Sequence, residues 1–296
     1  MKLTLLGTGT PAPSTRRQSS GYLLEIGDDA IILDHGPGAH QRLIESGFKA
    51  TRTTHALFSH LHYDHCLDYP RLVLQRWDFG AGKIPELQVY GPAPLKRMTA
   101  SLFGEGGVYA DDLTARTQHQ ASLDVFTSRG GASPRQRPGP IVTEIKPGDR
   151  IEGNQWTALV GETSHVQPYL ACYGYRIESN GASICYAGDS GGVCETVVTL
   201  AQNADVLIHM MHFAAGTEPS QQFRNSTGAH LDVAEVAQKA EVGALIITHV
   251  SAELDGPGTK ERLISEMSAI YRGPIIWGED LMKIAVPYVP DSTGIN

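Results

Sequence analysis

Basic residues are scarce in this chain of 296 residues: 24 lysine and arginine residues face 32 aspartate and glutamate residues, for a formal net charge of −8. Proteins that hold nucleic acid mainly through phosphate contacts usually carry a basic patch or stripe, and none stands out in the sequence. The composition therefore argues against nucleic acid as the main partner.

Cysteines and long apolar runs are also few. The four cysteines form no CxxC pair, which is typical of reduced thiols in a cytosolic protein rather than of a disulfide framework. The apolar run at the N-terminus is too short for the core of a signal peptide. No stretch approaches the roughly 20 apolar residues of a membrane-spanning helix. We expect a cytoplasmic protein with no membrane contact.

Short apolar runs separated by glycine come first in the chain, and strands that alternate with helices follow, a pattern that predicts a layered α/β architecture. We expect one domain over residues 1–296. The pattern weakens at about 104–140, where Gly130-Gly131 and a proline-rich stretch predict a lid or insertion. Predicted strands are Lys2–Leu6, Gly21–Ile26, Ala30–Asp34, Thr54–Phe58, Leu87–Tyr90, Ile141–Lys146, Trp156–Gly161, Tyr173–Glu178, Ile184–Ala187, Val206–His209, Ala244–Thr248 and Ile275–Trp277. Predicted helices are Ala39–Ser46, Leu67–Trp77, Pro94–Phe103, Leu113–Phe126, Val193–Ala201, Leu231–Lys239 and Lys260–Tyr271.

The densest cluster of chemically active side chains is Ser59-His60-Leu61-His62-Tyr63-Asp64-His65, directly after a predicted buried strand. On extended backbone, residues two apart point the same way, so His60 and His62 can hold one ion. Asp64 and His65 follow in a turn and can face a second ion. Imidazole and carboxylate together suit zinc first, with iron and manganese as alternatives.

Three further candidate ligands follow predicted strands later in the chain. His165 comes after the strand that ends at Gly161, Asp189 after Ala187-Gly188, and His249 after Thr248. Strand ends of an α/β scaffold gather side chains at one edge, so these residues can complete a site begun by the histidine-rich loop. A capping role for Asp189 at a following helix is the alternative interpretation of that residue.

Together these motifs resemble the metallo-β-lactamase superfamily, and within it the ribonuclease Z and arylsulfatase-like branch. The resemblance covers nearly the whole chain. It implies a four-layer αβ/βα fold in which two mixed β-sheets are flanked by helices. It rests on the following segments: Leu6-Gly7-Thr8-Gly9, Pro13–Arg17, Leu33–Gly38, the HxHxDH motif, His165, Tyr173–Glu178, Tyr186–Asp189, His230 with Ala234, and Leu245–Ser251.

The resemblance also implies how the ligands divide. His60, His62 and His165 hold the first ion; Asp64, His65 and His249 hold the second; Asp189 bridges the two ions. The expected cofactor is therefore a pair of zinc ions. A hydroxide shared between two cations is a nucleophile at neutral pH, because metals lower the pKa of water to roughly 7. Asp64 is the expected catalytic residue that orients this nucleophile or accepts its proton. Asp34 and Ser59 are expected to support the ligands rather than to bind metal.

The sequence departs from the family pattern at the residues that would donate a proton to the leaving group. In ribonuclease Z a glutamate and a histidine form this pair. Here Met210 occupies the glutamate position, within His209-Met210-Met211-His212, while His230 keeps the histidine position. His230 and His212 are therefore catalytic candidates, and His230 lacks an evident acidic partner.

Three functions remain open. The first is hydrolysis of a small-molecule ester, such as an aryl sulfate or phosphodiester, favoured by the acidic charge, by Met210 and by five aromatics expected near the cleft: Trp77, Phe79, Tyr109, Tyr169 and Phe213. The second is endonucleolytic processing of transfer-RNA 3′ ends, which needs a basic arm that only the segment 129–137 faintly resembles. The third is a non-hydrolytic iron site. Because homodimers are common in the family branch that the sequence resembles, we expect that this chain can form one as well.

Overall fold

The computed structural model describes residues 1–287, and within this range fourteen strands form two seven-stranded sheets. In spatial order, the first sheet holds β14 (Lys283–Ala285), β1 (Lys2–Gly7), β2 (Gly21–Ile26), β3 (Asp29–His35), β4 (His55–Leu57), β5 (Gln88–Gly91) and β6 (Ile141–Glu144). The second holds β13 (Ile275–Trp277), β12 (Ala244–Thr248), β11 (Val206–Met210), β10 (Ala182–Tyr186), β9 (Tyr173–Ser179), β8 (Thr157–Glu162) and β7 (Arg150–Glu152).

The described range holds ten α-helices, most of which pack on the outer faces of these sheets. They are α1 (Ala39–Glu45), α2 (Tyr63–Cys66), α3 (Tyr69–Gly80), α4 (Leu95–Phe103), α5 (Ala110–Gln118), α6 (Gln120–Ser128), α7 (Glu195–Ala201), α8 (Gln221–Ser226), α9 (His230–Lys239) and α10 (Thr259–Ser268). Over residues 1–287, no helix combines the length and the apolar character needed to cross a bilayer.

Both sheets are mixed in the same way. In the first sheet, the pairs from β14 to β3 are antiparallel and those from β3 to β6 are parallel. In the second, the pairs from β7 to β10 are antiparallel and those from β10 to β13 are parallel. Because parallel strands end at a common edge, the loops after β3, β4, β10 and β12 can meet there.

Three apolar cores produce the layers. Leu5 and Leu33 of the first sheet share a buried cluster with Tyr175, Ile184 and Ile208 of the second, so the sheets pack face to face. The outer face of the first sheet packs against α1, α3, α4 and α5, and that of the second against α7, α9 and α10. The predicted α/β class, with two mixed sheets flanked by helices, is confirmed.

Several short elements differ from the sequence-based expectation. Strands β7 and β14 have three residues each, and β14 pairs with β1 from the other end of the chain. The expected helix Leu113–Phe126 is two helices, α5 and α6, which meet at His119 in an extended conformation. Such short strands and breaks depend on long-range pairing, which local patterns do not record. The predicted domain 1–296 includes residues 288–296, which lie outside the described part.

The segment at 104–140 is anchored rather than free. Asp78 near the end of α3 accepts hydrogen bonds from Arg129 at 2.8 Å and from Arg135 at 2.5 Å. The Arg135 guanidinium also lies 4.0 Å from the centre of the Trp77 ring, and the Trp77 indole N–H donates to Gln136 O. The stretch 129–137, which faintly resembles a basic arm in sequence, is therefore packed against α3.

Arg17 ties the loop after β1 to the C-terminal part of the chain. Its side chain is 2% exposed and makes a two-pronged ion pair with Asp255, at 2.6 and 2.8 Å. It also donates to Thr8 Oγ1 and Gly278 O. Arg16, its neighbour, contacts Glu279 and Asp255 with a side chain that is 53% exposed.

This pair of arginines gives a matched test of stability. Arg17→Ala removes the two-pronged partner of the Asp255 carboxylate, which is only 11% exposed, so the free energy of unfolding in urea should fall by about 3 kcal/mol. Arg16→Ala removes an exposed ion pair and should cost less than about 1 kcal/mol. Equal losses for the two variants would contradict a structural role for the buried pair.

Candidate metal centre

The histidine-rich loop follows β4 at the edge where the parallel strands end, and its last residues, Tyr63 to His65, form the start of α2. His60 and His65 are fully buried, and Asp64 is 3% exposed. His62 Nδ1 lies 3.0 Å from His60 Nε2 and 3.3 Å from His165 Nε2. The structure therefore brings together the three histidines that the family resemblance assigns to one ion.

A second cluster lies beside the first. Asp64 Oδ2 is 3.4 Å from His65 Nε2 and 3.3 Å from His249 Nε2. Asp189 reaches both clusters: its oxygens lie 3.4 Å from His65 Nε2, 3.4 Å from His249 Nε2 and 3.7 Å from His165 Nε2. All seven predicted ligands thus converge, with Asp189 between the two groups.

Backbone geometry at the strand ends aims these side chains. His249 follows β12 with a φ of 54°, in the left-handed region where non-glycine residues are rare. Gly188, before Asp189, has a φ of 58°, and a Cβ there would lie 2.7 Å from Tyr173 O. Only glycine fits so close an approach, and it lets the chain turn Asp189 inward. Helix α7 begins at Glu195 after Cys194, so Asp189 does not cap it.

Hydrogen bonds fix the orientation of the imidazole rings. His65 Nδ1 donates to Asp34 Oδ2 at 2.7 Å, and His165 Nδ1 donates to Ser226 O at 2.6 Å. His60 Nδ1 is 3.0 Å from Ser59 Oγ, which itself donates to Asp34 at 2.6 Å. Each of these rings keeps its proton on Nδ1 and turns the lone pair of Nε2 into the site, as metal ligation requires.

Several features show that this site fits metal cations. His65 Nε2 is buried and has no hydrogen-bond partner, although it faces two carboxylates. Burial lowers the pKa of His65, but Asp189 and Asp34 outweigh burial and raise it well above its ordinary value, so the pocket attracts positive charge. Burial also holds the pKa of His60 well below its ordinary value and keeps that ring neutral. Five imidazoles and two carboxylates are a donor set for divalent metals.

The two proton-donor candidates lie in different surroundings. The His212 ring is 5.6 Å from the ring of His249, and its buried Nδ1 has no partner. His230 uses both ring nitrogens elsewhere: Nδ1 accepts from the backbone N–H of Ala215, and Nε2 lies 2.7 Å from Glu266 Oε2. The structure places His212 beside the candidate ligands, whereas the hydrogen bonds of His230 lead toward α10.

Met210 ends β11 next to the candidate ligands. It is 2% exposed, and the backbone N–H of Ser190, which follows Asp189, points at its sulfur at 3.1 Å. Gly228 packs against it so closely that a Cβ there would lie 2.4 Å from Met210 O. A carboxylate at position 210 would therefore lie near Asp189, and with methionine there this position offers no proton donor.

Two groups that contact the candidate site residues are not predicted from the sequence. Glu266 on α10 supplies the acidic partner that His230 lacks in the motif. The segment around α8 holds His165 through Ser226 O, and Asn225 O accepts from Ser164 Oγ. A backbone carbonyl carries no residue signature, and Glu266 is one of several charged residues on its helix. Of the aromatics expected near the cleft, Phe213 packs on Phe223, with ring centres 5.2 Å apart.

Comparison with known proteins agrees with this geometry. The family model of the Metallo-beta-lactamase superfamily matches residues 14–249. A protein named Ribonuclease Z from Mycobacterium bovis (strain BCG / Pasteur 1173P2) is 31% identical over 297 residues, which cover 97% of this chain and 98% of the relative. Ribonuclease Z from Mycolicibacterium gilvum is 30% identical and covers 97% and 96%.

Solved structures share the fold. The metallo-beta-lactamase fold protein YhfI from Bacillus subtilis has a TM-score of 0.71 and 19% identity, covering 95% of this chain and 98% of that one. The short form of human tRNase Z has a TM-score of 0.67 and 20% identity, covering 97% and 100%. The resemblance drawn from the motifs is confirmed, and the chain belongs to the metallo-β-lactamase superfamily.

Proposed function

We propose that this chain is a two-metal phosphodiesterase that cleaves RNA as an endonuclease of the ribonuclease Z type. The observation that carries the proposal is the double cluster joined by Asp189, in a chain that aligns over nearly its full length with relatives named Ribonuclease Z. This is the second of the three functions open from the sequence. The relatives support it better than small-molecule ester hydrolysis, and they weigh against the expectation that nucleic acid is not a partner.

The division of ligands follows the two clusters. His60, His62 and His165 would hold one ion, and Asp64, His65 and His249 the other, with Asp189 shared between them. Zinc is the proposed metal, and iron and manganese fit the same donors. When bound, such ions lower the pKa of water and polarise the phosphoryl oxygen.

The protein's own side chains supply orientation and proton transfer. Asp64 is placed to orient the attacking water or to accept its proton, since its carboxylate lies among the ligands at 3% exposure. His212 is the proposed proton donor to the departing ribose oxygen, because its ring lies 5.6 Å from the ring of His249 and its Nδ1 has no hydrogen-bond partner. His230, which is hydrogen-bonded to Glu266 and to the backbone N–H of Ala215, would then have a structural role rather than a catalytic one.

Metal analysis tests the proposed centre. The purified protein should hold close to two equivalents of divalent metal, and Asp189→Ala should lose most of both. Asp34→Asn should weaken binding by about 10–100-fold, since outer partners of ligating histidines typically have effects of that size. Tyr186→Phe is the milder control, because it removes one of the four hydrogen bonds to Asp34. A single equivalent that Asp189→Ala leaves in place would contradict the two-metal arrangement.

The leaving group tests the role of His212. A ribose alkoxide needs protonation, and a positioned acid typically contributes about 10²–10⁴-fold. His212→Ala should therefore lower kcat on precursor transfer RNA by about 10²-fold, but should change kcat on an aryl phosphodiester by less than about tenfold. His230→Ala is the matched control and should affect both substrates equally. Equal losses on both substrates for His212→Ala would remove it from proton transfer.

Met210 favours a second candidate, the hydrolysis of small aryl esters. With no carboxylate at this position, the site suits leaving groups of low pKa. Turnover of precursor transfer RNA, an aryl phosphodiester and an aryl sulfate should be compared side by side on metal-loaded protein, with Asp64→Ala as the inactive control. Cleavage of the aryl substrates alone would establish this second candidate over the first.

Met210→Glu separates the two candidates further. If the methionine limits the protein to aryl esters, the glutamate should raise kcat/KM on alkyl phosphodiesters or precursor transfer RNA relative to aryl phosphodiesters by about 10-fold or more. If the native protein already processes precursor transfer RNA efficiently, the ratio should stay flat or fall. The ratio cancels any partial loss of folded protein.

A further inference from the structure

A groove lies between α3 and α5, next to the histidine-rich loop. It encloses about 380 Å³, in the lower part of the range of about 300–1,000 Å³ typical of ligand pockets. Leu67, two residues after His65, is one of its lining residues. Leu67 and Tyr63, which lies within the HxHxDH motif, are 58% and 56% exposed. The groove therefore shares Leu67 with the exposed segment that directly follows the histidine-rich loop.

Aromatic side chains line this groove. Trp77, Phe79 and Tyr109 all contribute to its wall, and Phe79 is 57% exposed. The Arg129 guanidinium lies 4.4 Å from the centre of the Phe79 ring. Exposed aromatic rings beside guanidinium groups are the platforms on which single-stranded nucleic acids stack their bases.

The charge around the groove differs from that of the rest of the chain. Residues 69–140 hold nine lysine and arginine residues against six acidic ones, whereas the remainder holds fifteen against twenty-six. Arg71 and Arg116 line the groove itself. Two acidic residues also line it: Asp112 pairs with Arg116 at 2.9 Å, and Asp78 is contacted by Arg116, Arg129 and Arg135. A polyanion would be attracted here and repelled by most of the remaining surface.

The same charge argues against a second copy of this chain as the occupant. A two-fold interface brings the same patch of each subunit face to face. Two segments with a net positive charge would then meet, at a cost that a polyanionic partner avoids.

We propose that the groove between α3 and α5 binds an unpaired stretch of the RNA substrate next to the scissile bond. In this arrangement Phe79 stacks on a base, and Arg71 contacts a phosphate. The inference rests on the proposed ribonuclease function, but it concerns binding, so it can be tested separately from cleavage.

The test measures binding of a short, unstructured, fluorescein-labelled and phosphorothioate-linked oligoribonucleotide to the metal-loaded protein by fluorescence anisotropy. Phe79→Ala should raise Kd by about 10-fold or more, the size expected for loss of one stacked base. Arg71→Ala should raise Kd and also reduce the slope of log Kd against log salt by about 0.7, the change for one phosphate on a single strand. Phe79→Ala should leave that slope unchanged.

The controls keep fold and function apart. Ile141→Ala and Arg272→Ala remove an exposed apolar and an exposed basic residue away from the groove, and both should bind RNA as the unaltered protein does. Hydrolysis of a small aryl phosphodiester should be unchanged in Phe79→Ala and Arg71→Ala, since that substrate does not reach the groove. Loss of this hydrolysis in parallel with RNA binding would mean that the residues only support the fold, and would overturn the inference.

Two further outcomes are decisive. RNA binding that depends on Phe79 and Arg71, in a protein that does not cleave RNA, would uphold the groove and reject the proposed function. Sedimentation velocity gives the other: if the protein is a dimer that Phe79→Ala converts to a monomer, the groove is a subunit interface and the inference fails.

Discussion

The buried carboxylate of Asp34 is the constraint on which the site depends. It is fully buried, yet it accepts hydrogen bonds from Ser59 N, Ser59 Oγ, His65 Nδ1 and Tyr186 OH. A buried charge is tolerated only when it is so fully paired. Tyr186 belongs to the second sheet and the other donors to the loop after β4, so one carboxylate fastens both sheets to the metal-binding loop.

The arrangement of the sheets explains why the ligands meet. Each sheet has an antiparallel half and a parallel half, and the two pack face to face through one apolar core. Ligands therefore come from both sheets: the loop after β4 and helix α2 supply four, and the strand ends of the second sheet supply His165, Asp189 and His249. Neither sheet alone carries a complete set for both clusters. The complete set of ligands can therefore form only when the two sheets pack against each other.

The convergence of the seven candidate ligands could be predicted from sequence because the signal is local. His60, His62, Asp64 and His65 lie within six residues, and each later candidate follows an apolar strand. The pairing of His230 with Glu266, the anchoring of Arg135 on Asp78, and the pairing of β14 with β1 depend on contacts between distant residues. Overall composition also averages over local differences: within a net charge of −8, residues 69–140 hold nine basic and six acidic residues.

The two clusters are held with unequal firmness. His65 is fixed through Asp34 in the interior, whereas the His165 side chain is 10% exposed and is fixed by the carbonyl of Ser226 at the end of α8. This side of the site is formed by the loop after β8 and by the end of α8, which are joined by the hydrogen bonds of Ser164 and His165. Tyr169, in the loop after β8, is 88% exposed. Local opening there would release one ligand while the other cluster stays intact. Two ions bound in this centre would therefore exchange with solvent at different rates, and the one on His165 would leave first.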